Sequence, residues 1–155
     1  MIRVGQGFDL HRLVSDVPLR LGGVTVESPV GSEGHSDGDV ILHALIDALL
    51  GAAGLGDIGE HFPPSDPQYK GINSLELLAR VKPLLAPWTV VNADITVMLE
   101  RPKLGSYKPV IRQTVADALG LEASCVSVKA KTMEGLGPIG QQEAVAAIVT
   151  VLLEQ

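Results

Sequence analysis

Residues 34–59 read GHSDGDVILHALIDALLGAAGLGDIG, and no other stretch limits the possible folds as much. The pattern predicts a helix over about residues 38–54, with Ser36 or Asp37 placed to cap it. That helix is apolar nearly all round. Such a helix must be mostly buried, so the rest of the chain has to fold around it. Yet it carries His43 in its middle and Asp47 one turn later. Asp39, His43 and Asp47 fall on one face, spaced four apart. Taken alone, a histidine on an apolar helix is most often a satisfied core residue.

A second polar intrusion lies near the start, in GFDLHRL at residues 7–13. In an extended chain alternate residues face the same way. Asp9 and His11 therefore share one face, and Phe8 and Leu10 share the other. A solvated sheet edge would account for this, and so would a metal site. With His43 added, one carboxylate and two imidazoles make three protein ligands. That is the usual count for a zinc ion that keeps a fourth position open. Asp47 would then orient the His43 ring from behind, or else simply solvate the helix.

The 155 residues are most simply one domain, 1–155, large enough to bury a real core. Only 3% are aromatic, so that core must rest on Val, Leu, Ile and Ala. A formal net charge of −6 argues against nonspecific nucleic-acid or anionic-membrane binding. A small phosphorylated substrate is still compatible, because bound cations reverse the local sign. The single cysteine, Cys125, excludes an internal disulfide and a four-cysteine zinc site, and reads as a small buried hydrophobe. No apolar run is long enough to span a bilayer, and no leader pattern precedes the first strand-like segment. A cytoplasmic location is expected.

Strands are expected near 1–10, 19–27, 89–100, 124–132 and 141–153, and helices near 38–54, 73–86 and 106–119. Proline and glycine mark the breaks. This order suggests an α+β fold, with helices on one face of a mixed sheet. The late order strand–helix–strand–strand suits a ferredoxin-like sandwich. GQG near residue 5 reads as a strand irregularity, LGGV at 21–24 as a hairpin or bulge, and GLGPIG at 135–140 as a turn that shapes a site. His61 reads as surface, and Lys129 either as a solvated strand-end residue or as part of a phosphate field.

GFDLHR, HSDGDVILHALIDALLGAAGLGDIGEHFP and VKAKTMEGLG together resemble the 2-C-methyl-D-erythritol 2,4-cyclodiphosphate synthases of the non-mevalonate isoprenoid pathway. The resemblance runs the length of the chain. It implies a ferredoxin-like α+β homotrimer with active sites between subunits. By the same resemblance Asp9, His11 and His43 bind zinc, and Glu134 binds magnesium or manganese. His35 and Ser36 match a flexible loop that contacts substrate, His35 as a stabiliser of the transition state. Asp57, Ile58 and Gly59 match the part that holds the methylerythritol hydroxyls, and Phe62, Pro63, Pro64, Ser65 and Asp66 continue that wall. Pro102, Lys103 and Leu104 match the cytosine pocket. Thr132 matches a catalytic threonine on the diphosphate, and Lys131 and Met133 flank it.

The implied substrate is 4-diphosphocytidyl-2-C-methyl-D-erythritol 2-phosphate. Its own 2-phosphate oxygen attacks the β-phosphorus and CMP leaves, which makes the enzyme a cyclising phosphorus–oxygen lyase. The nucleophile is already an anion, so no Ser-His-Asp triad is required, and the sequence carries no such motif. What remains is to fold the substrate on itself and neutralise charge, a task for two cations. Two departures stand out. Lys131 replaces a common threonine. Pro138 and Gln141 stand where many bacterial relatives carry an aromatic residue and an arginine, lining an axial cavity for an isoprenoid diphosphate. Without the arginine, capture of that ligand is not expected. The residues alone leave two other readings open: a zinc hydrolase of nucleotide diphosphates, and a non-catalytic zinc-bound trimeric module.

Overall fold

The computed structural model describes residues Met1–Gln155. Strand β1 (Ile2–Ser15) sets the layout. On one face Gly5, Gly7 and Leu13 are buried and Asp9 and His11 half-buried, while Ile2, Val4, Gln6, Phe8, Leu10 and Arg12 on the other are exposed. Helix α1 (Val40–Ala53) lies on the first face. The glycines make that approach possible. A Cβ at Gly5 would stand 1.9 Å from the Ala48 carbonyl oxygen, and one at Gly7 equally close to that of Ala44. Both glycines pair in unbroken register with β7 (Ala144–Glu154), Gly5 opposite Val151 and Gly7 opposite Val149. GQG is thus a floor for the helix, not a strand irregularity.

These contacts fix which part of α1 meets which part of β1. Ala48 and Ala52 sit over Gly5, and Ala44 and Ala48 over Gly7. The next turn of the helix, with His43, therefore sits over Asp9 and His11. Asp39 caps α1, not Ser36 or Asp37. Its fully buried carboxylate accepts the Leu42 N–H and also reaches the N–H groups of Gly22 (2.9 Å) and Gly23 (2.7 Å). Those glycines form the two-residue turn between β2 (Leu19–Leu21) and β3 (Val24–Val26). Their φ angles of 61° and 80° suit a tight hairpin, as expected for LGGV.

The main sheet has the order β4-β1-β7-β5-β6, with β4 at Val30–Ser32, β5 at Thr89–Met98 and β6 at Val126–Lys131. β7 runs antiparallel to both neighbours, while β5 and β6 are parallel. The sheet is mixed, as expected. Its connectivity departs from a ferredoxin-like sandwich. β1 and β5 with β7 inserted between them form one split β-α-β unit, as in that fold. The second unit, β5-α4-β6, joins directly adjacent parallel strands through α4 (Lys108–Leu119). Helices α1 and α4 pack on the sheet, and α3 (Ser74–Val81) packs on both of them. The helix expected at 73–86 ends early, because Pro83 has no N–H and Lys82–Leu85 becomes a 3₁₀ turn. Two short helices, α2 (Ile58–His61) and α5 (Gly137–Gly140), break what reads as loop.

One core of 33 buried residues runs from Leu13 to Leu153, and no aromatic side chain is among them. Trp88, Phe62, Tyr69 and Tyr107 pack only against its margin. Cys125 is half-buried in a 3₁₀ turn before β6, so it is not a core residue. The outer face of the sheet carries apolar side chains that nothing covers, including Ile2 (67% exposed), Val4 (66%) and Phe8 (56%).

Candidate metal centre and adjoining groove

Asp9 and His11 project from β1 beneath the first turns of α1, where His43 projects down to meet them. Asp9 Oδ2 lies 2.9 Å from His11 Nε2 and 3.0 Å from His43 Nδ1, and the two imidazole nitrogens are 3.3 Å apart. A tetrahedral ion with bonds of about 2.0–2.1 Å requires donor separations of roughly 3.3 Å. The triangle would hold a divalent metal, and His11 and His43 also line a cleft. Burial pushes the Asp9 carboxyl up, but its hydrogen bonds to His11 and His43 outweigh this and hold it far below the ordinary carboxylate range. The same bond to Asp9 raises His11 against the opposing effect of burial. Both shifts describe a pocket that favours a positive charge at its centre.

The far side of each ring is occupied. His11 Nδ1 donates to the Glu33 carbonyl at 2.7 Å, which leaves Nε2 free to ligate. His43 Nε2 lies 2.8 Å from Ser36 Oγ and 2.9 Å from Ser74 Oγ. Asp47 does not orient this ring. Its Oδ1 instead accepts the Ile58 N–H at 2.8 Å and ties down α2, because the chain after the helix folds back past that turn. Burial raises the Asp47 pKa, only partly offset by that hydrogen bond.

A cleft of about 240 Å³ opens beside the triad, lined by His11, His35, Ser36, His43, Ile58, Gly59, Phe62 and Pro64, with Tyr69, Ile72 and Leu77. Phe62 meets Tyr69 edge to face, with centroids 5.3 Å apart. The Gly71 N–H donates to the His35 carbonyl at 2.8 Å and ties the 33–38 loop to the segment before α3. Asp57 caps α2 and Asp66 caps the 3₁₀ turn at Pro67–Tyr69. Pro63 and Ser65 lie on the intervening loop, outside the lining. His61 is half-buried and hydrogen-bonds the Leu55 carbonyl at 2.8 Å.

The remaining expected residues gather elsewhere. Lys103, Lys131, Thr132 and Glu134, with Lys108, line a groove of about 570 Å³. Pro102 and Met133 are half-buried nearby, and Leu104 is buried, with its carbonyl accepting the N–H groups of Tyr107 and Lys108. Glu134 adopts a left-handed backbone, φ 54°, and the Met133 N–H donates to Glu100 Oε2 at 2.9 Å. A strained non-glycine residue needs support from its surroundings. Lys129 is engaged by Asp94 at 2.6 Å on the outer sheet face. Gln141 Nε2 donates to the Gly135 carbonyl at 2.6 Å.

The sheet register measures the gap between the two groups. Leu10 pairs with Ala146, Ala146 with Met98, and Met98 with Lys131. Three strand spacings separate the triad's strand from the groove's, about 14 Å along one end of the sheet. The residues expected to form one site are thus two separate clusters in one chain. Ser74, Tyr69, Ile72, Leu77 and Lys108 had not been expected in either. Ser74 reads in sequence as an ordinary first residue of a helix, and only the packing of α3 on α1 brings it to His43.

The YgbB family model matches residues 2–154. The 2-C-methyl-D-erythritol 2,4-cyclodiphosphate synthase of Symbiobacterium thermophilum is 56% identical over 152 residues, 97% of each chain. That of Bordetella avium is 52% identical, over 97% of this chain and 94% of the relative. A solved structure of such a synthase with CDP bound superposes with a TM-score of 0.91 at 39% identity, covering 98% of this chain and all of that one. The bifunctional IspDF of Campylobacter jejuni gives 0.94 at 42% identity, and this chain spans 42% of its length. The chain belongs to the YgbB family, which includes the 2-C-methyl-D-erythritol 2,4-cyclodiphosphate synthases.

Proposed function

We propose that this chain cyclises 4-diphosphocytidyl-2-C-methyl-D-erythritol 2-phosphate to 2-C-methyl-D-erythritol 2,4-cyclodiphosphate and releases CMP. The observation that carries this reading is the Asp9–His11–His43 triangle beside its cleft, with a lysine-lined groove bearing Glu134 at the same end of the sheet. In the reaction one 2-phosphate oxygen forms a bond to the β-phosphorus, the bond from that phosphorus to the bridging oxygen breaks, and the electron pair leaves with CMP. Asp9, His11 and His43 would hold zinc, and Glu134 would hold magnesium or manganese. The bound ions supply charge neutralisation at the diphosphate.

The chain's own groups do the rest. His35 and Ser36 close over the substrate from their loop, and Asp57, Ile58 and Gly59 hold the sugar hydroxyls. Phe62 and Pro64 exclude water along that wall, and Pro63, Ser65 and Asp66 continue it on the same loop. Pro102, Lys103 and Leu104 receive the cytosine end, consistent with CDP in a solved relative, and Met133 contacts the substrate beside Thr132. The Thr132 hydroxyl donates to the diphosphate, and Lys131 and Lys103 add positive charge. The gap between the clusters far exceeds the length of a diphosphate, so each site takes its metal triad from one copy and its groove from a neighbour. The bare apolar sheet face supports that assembly, a homotrimer. A substrate this anionic does not cross bilayers unaided, which favours the cytoplasm.

Phosphorus NMR with the cytidylyl substrate, zinc and magnesium tests the reading. A cyclic diphosphate plus CMP is expected. A linear phosphate plus CMP would make the protein a hydrolase, and no turnover with both ions present would leave a non-catalytic module.

A further inference from the structure

We infer that Ser74, held by Asp37, is the positioning residue that fixes the His43 ring for metal binding, so that Ser36 is free to serve the substrate. The inference rests on reading Asp9, His11 and His43 as a metal centre. Its basis is proton counting. A serine hydroxyl has one proton to give. In Ser74 that proton goes to Asp37 Oδ1, a close hydrogen bond. The same carboxylate is itself pinned as an acceptor. Its Oδ2 takes the Ser74 N–H at 2.8 Å, and Oδ1 takes the Asp39 N–H at 3.2 Å. Arg20 Nε lies 3.8 Å from Oδ2. Ser74 therefore offers His43 only lone pairs.

At 2.9 Å from Ser74 Oγ, His43 Nε2 must be the donor. In the neutral ring its other nitrogen, Nδ1, then keeps a lone pair for a metal, and it points at Asp9 Oδ2 from 3.0 Å. Without a metal, a proton on Nδ1 makes the hydrogen bond to Asp9, and a bound cation would take that proton's place between nitrogen and carboxylate. The arrangement Asp37–Ser74–His43 thus has one hydrogen-bond direction, and that direction presents Nδ1 to a metal.

Ser36 Oγ also lies on Nε2, at 2.8 Å, where it too accepts, but its own hydroxyl proton is not held by another side chain. It lines the cleft on the 33–38 loop, whereas Ser74 is fully buried at the start of α3. When Ser36 turns to a ligand in the cleft, His43 keeps its buried acceptor. Asp37 and Ser36 belong to the same loop, but Asp37 is tied to the start of α3 through Ser74, so only the Ser36 side chain is left to turn.

Two measurements on zinc-loaded protein test this: zinc affinity by chelator competition, and the His43 Nε2–H signal in ¹H–¹⁵N spectra. Ser74→Ala should weaken zinc binding by about 10- to 100-fold and expose the Nε2 proton to rapid solvent exchange. Ser74→Thr, which keeps the hydroxyl, should restore both. Ser36→Ala should stay within about twofold of wild type in zinc affinity and keep the protected proton, since the ring retains its buried acceptor in Ser74. Wild-type zinc affinity together with an unchanged proton signal in Ser74→Ala would overturn the relay alone. A wild-type Nε2 proton that exchanges as fast as free imidazole would do so even if Ser74→Ala did not fold. A wild-type chain with no zinc affinity would overturn the metal-centre reading and this inference with it.

Discussion

His43 has a partner at each ring nitrogen, and both partners come from outside its helix. Removing the ring should therefore affect the centre more than the fold. His43→Ala is expected to lose its metal and its turnover while circular dichroism stays near wild type, and elemental analysis of the purified variant checks this. Full zinc occupancy would move the centre elsewhere. Glu134 offers a contrasting case. It belongs to the groove and shares no contact with the triad, so the two ions should fail separately. Glu134→Gln should keep zinc yet lose turnover on the order of a hundredfold, as when a charge clamp is removed from phosphoryl transfer. Turnover measured against magnesium concentration, with zinc assayed alongside, decides it. Asp9, His11 and His43 were legible in sequence because a carboxylate and an imidazole in alternation, with a histidine inside an apolar helix, are costly unless used. Asp47 was misread for the same reason that Ser74 was missed. Helical spacing names neighbours on one helix, while the ring's far side is closed by another.

At the scale of elements, the site depends on how closely α1 lies on β1. Gly7→Ala puts a Cβ 1.9 Å from the Ala44 carbonyl oxygen, so the helix must lift. A loss of about 3 kcal/mol, roughly 6–12 °C in Tm, is expected together with weaker metal binding. Gly51 makes the opposite case. It is exposed within the same helix, and nothing lies within 4 Å of where its Cβ would be. Gly51→Ala should stabilise by about 0.5–1 kcal/mol through helix propensity and a less flexible unfolded chain. Thermal melts of the two variants side by side check the pair, and equal effects would mean that the glycine floor is not what seats the helix. Most elements were legible, because β-branched runs and apolar periodicity are local. The sheet order was not. Placing β6 beside β5, and β7 between β1 and β5, is decided by which faces are left to bury once α1 and α4 have packed.

For the whole molecule, the separation of triad and groove makes a prediction that single-chain catalysis does not share. If each site draws on two copies, His43→Ala and Glu134→Gln homotrimers are both nearly inactive. Mixed trimers, formed by refolding equal amounts together, contain some sites built from two intact halves. About a quarter of wild-type activity is expected from random assembly of a closed cyclic oligomer. A mixture no more active than its parents, in trimers shown to have exchanged subunits, would place each complete site within one chain. Sedimentation equilibrium on the wild type gives the stoichiometry directly.

By itself the sequence determined the chemistry on offer. It carries an aliphatic core, one buried helix with a histidine in it, a carboxylate and a second imidazole on one strand face, and a carboxylate beside glycines near the last strand. Residue type and short-range periodicity are enough for that, because helices and strands repeat within a few residues. Only the tertiary structure decided distances. It brought Asp9 within 3.0 Å of His43 across 34 residues of chain, and joined Ser74 to Asp37 across 37. It also kept Glu134 three strands away from both. Contacts of that span depend on how helix faces and strand order jointly bury the core, and no local pattern encodes that outcome.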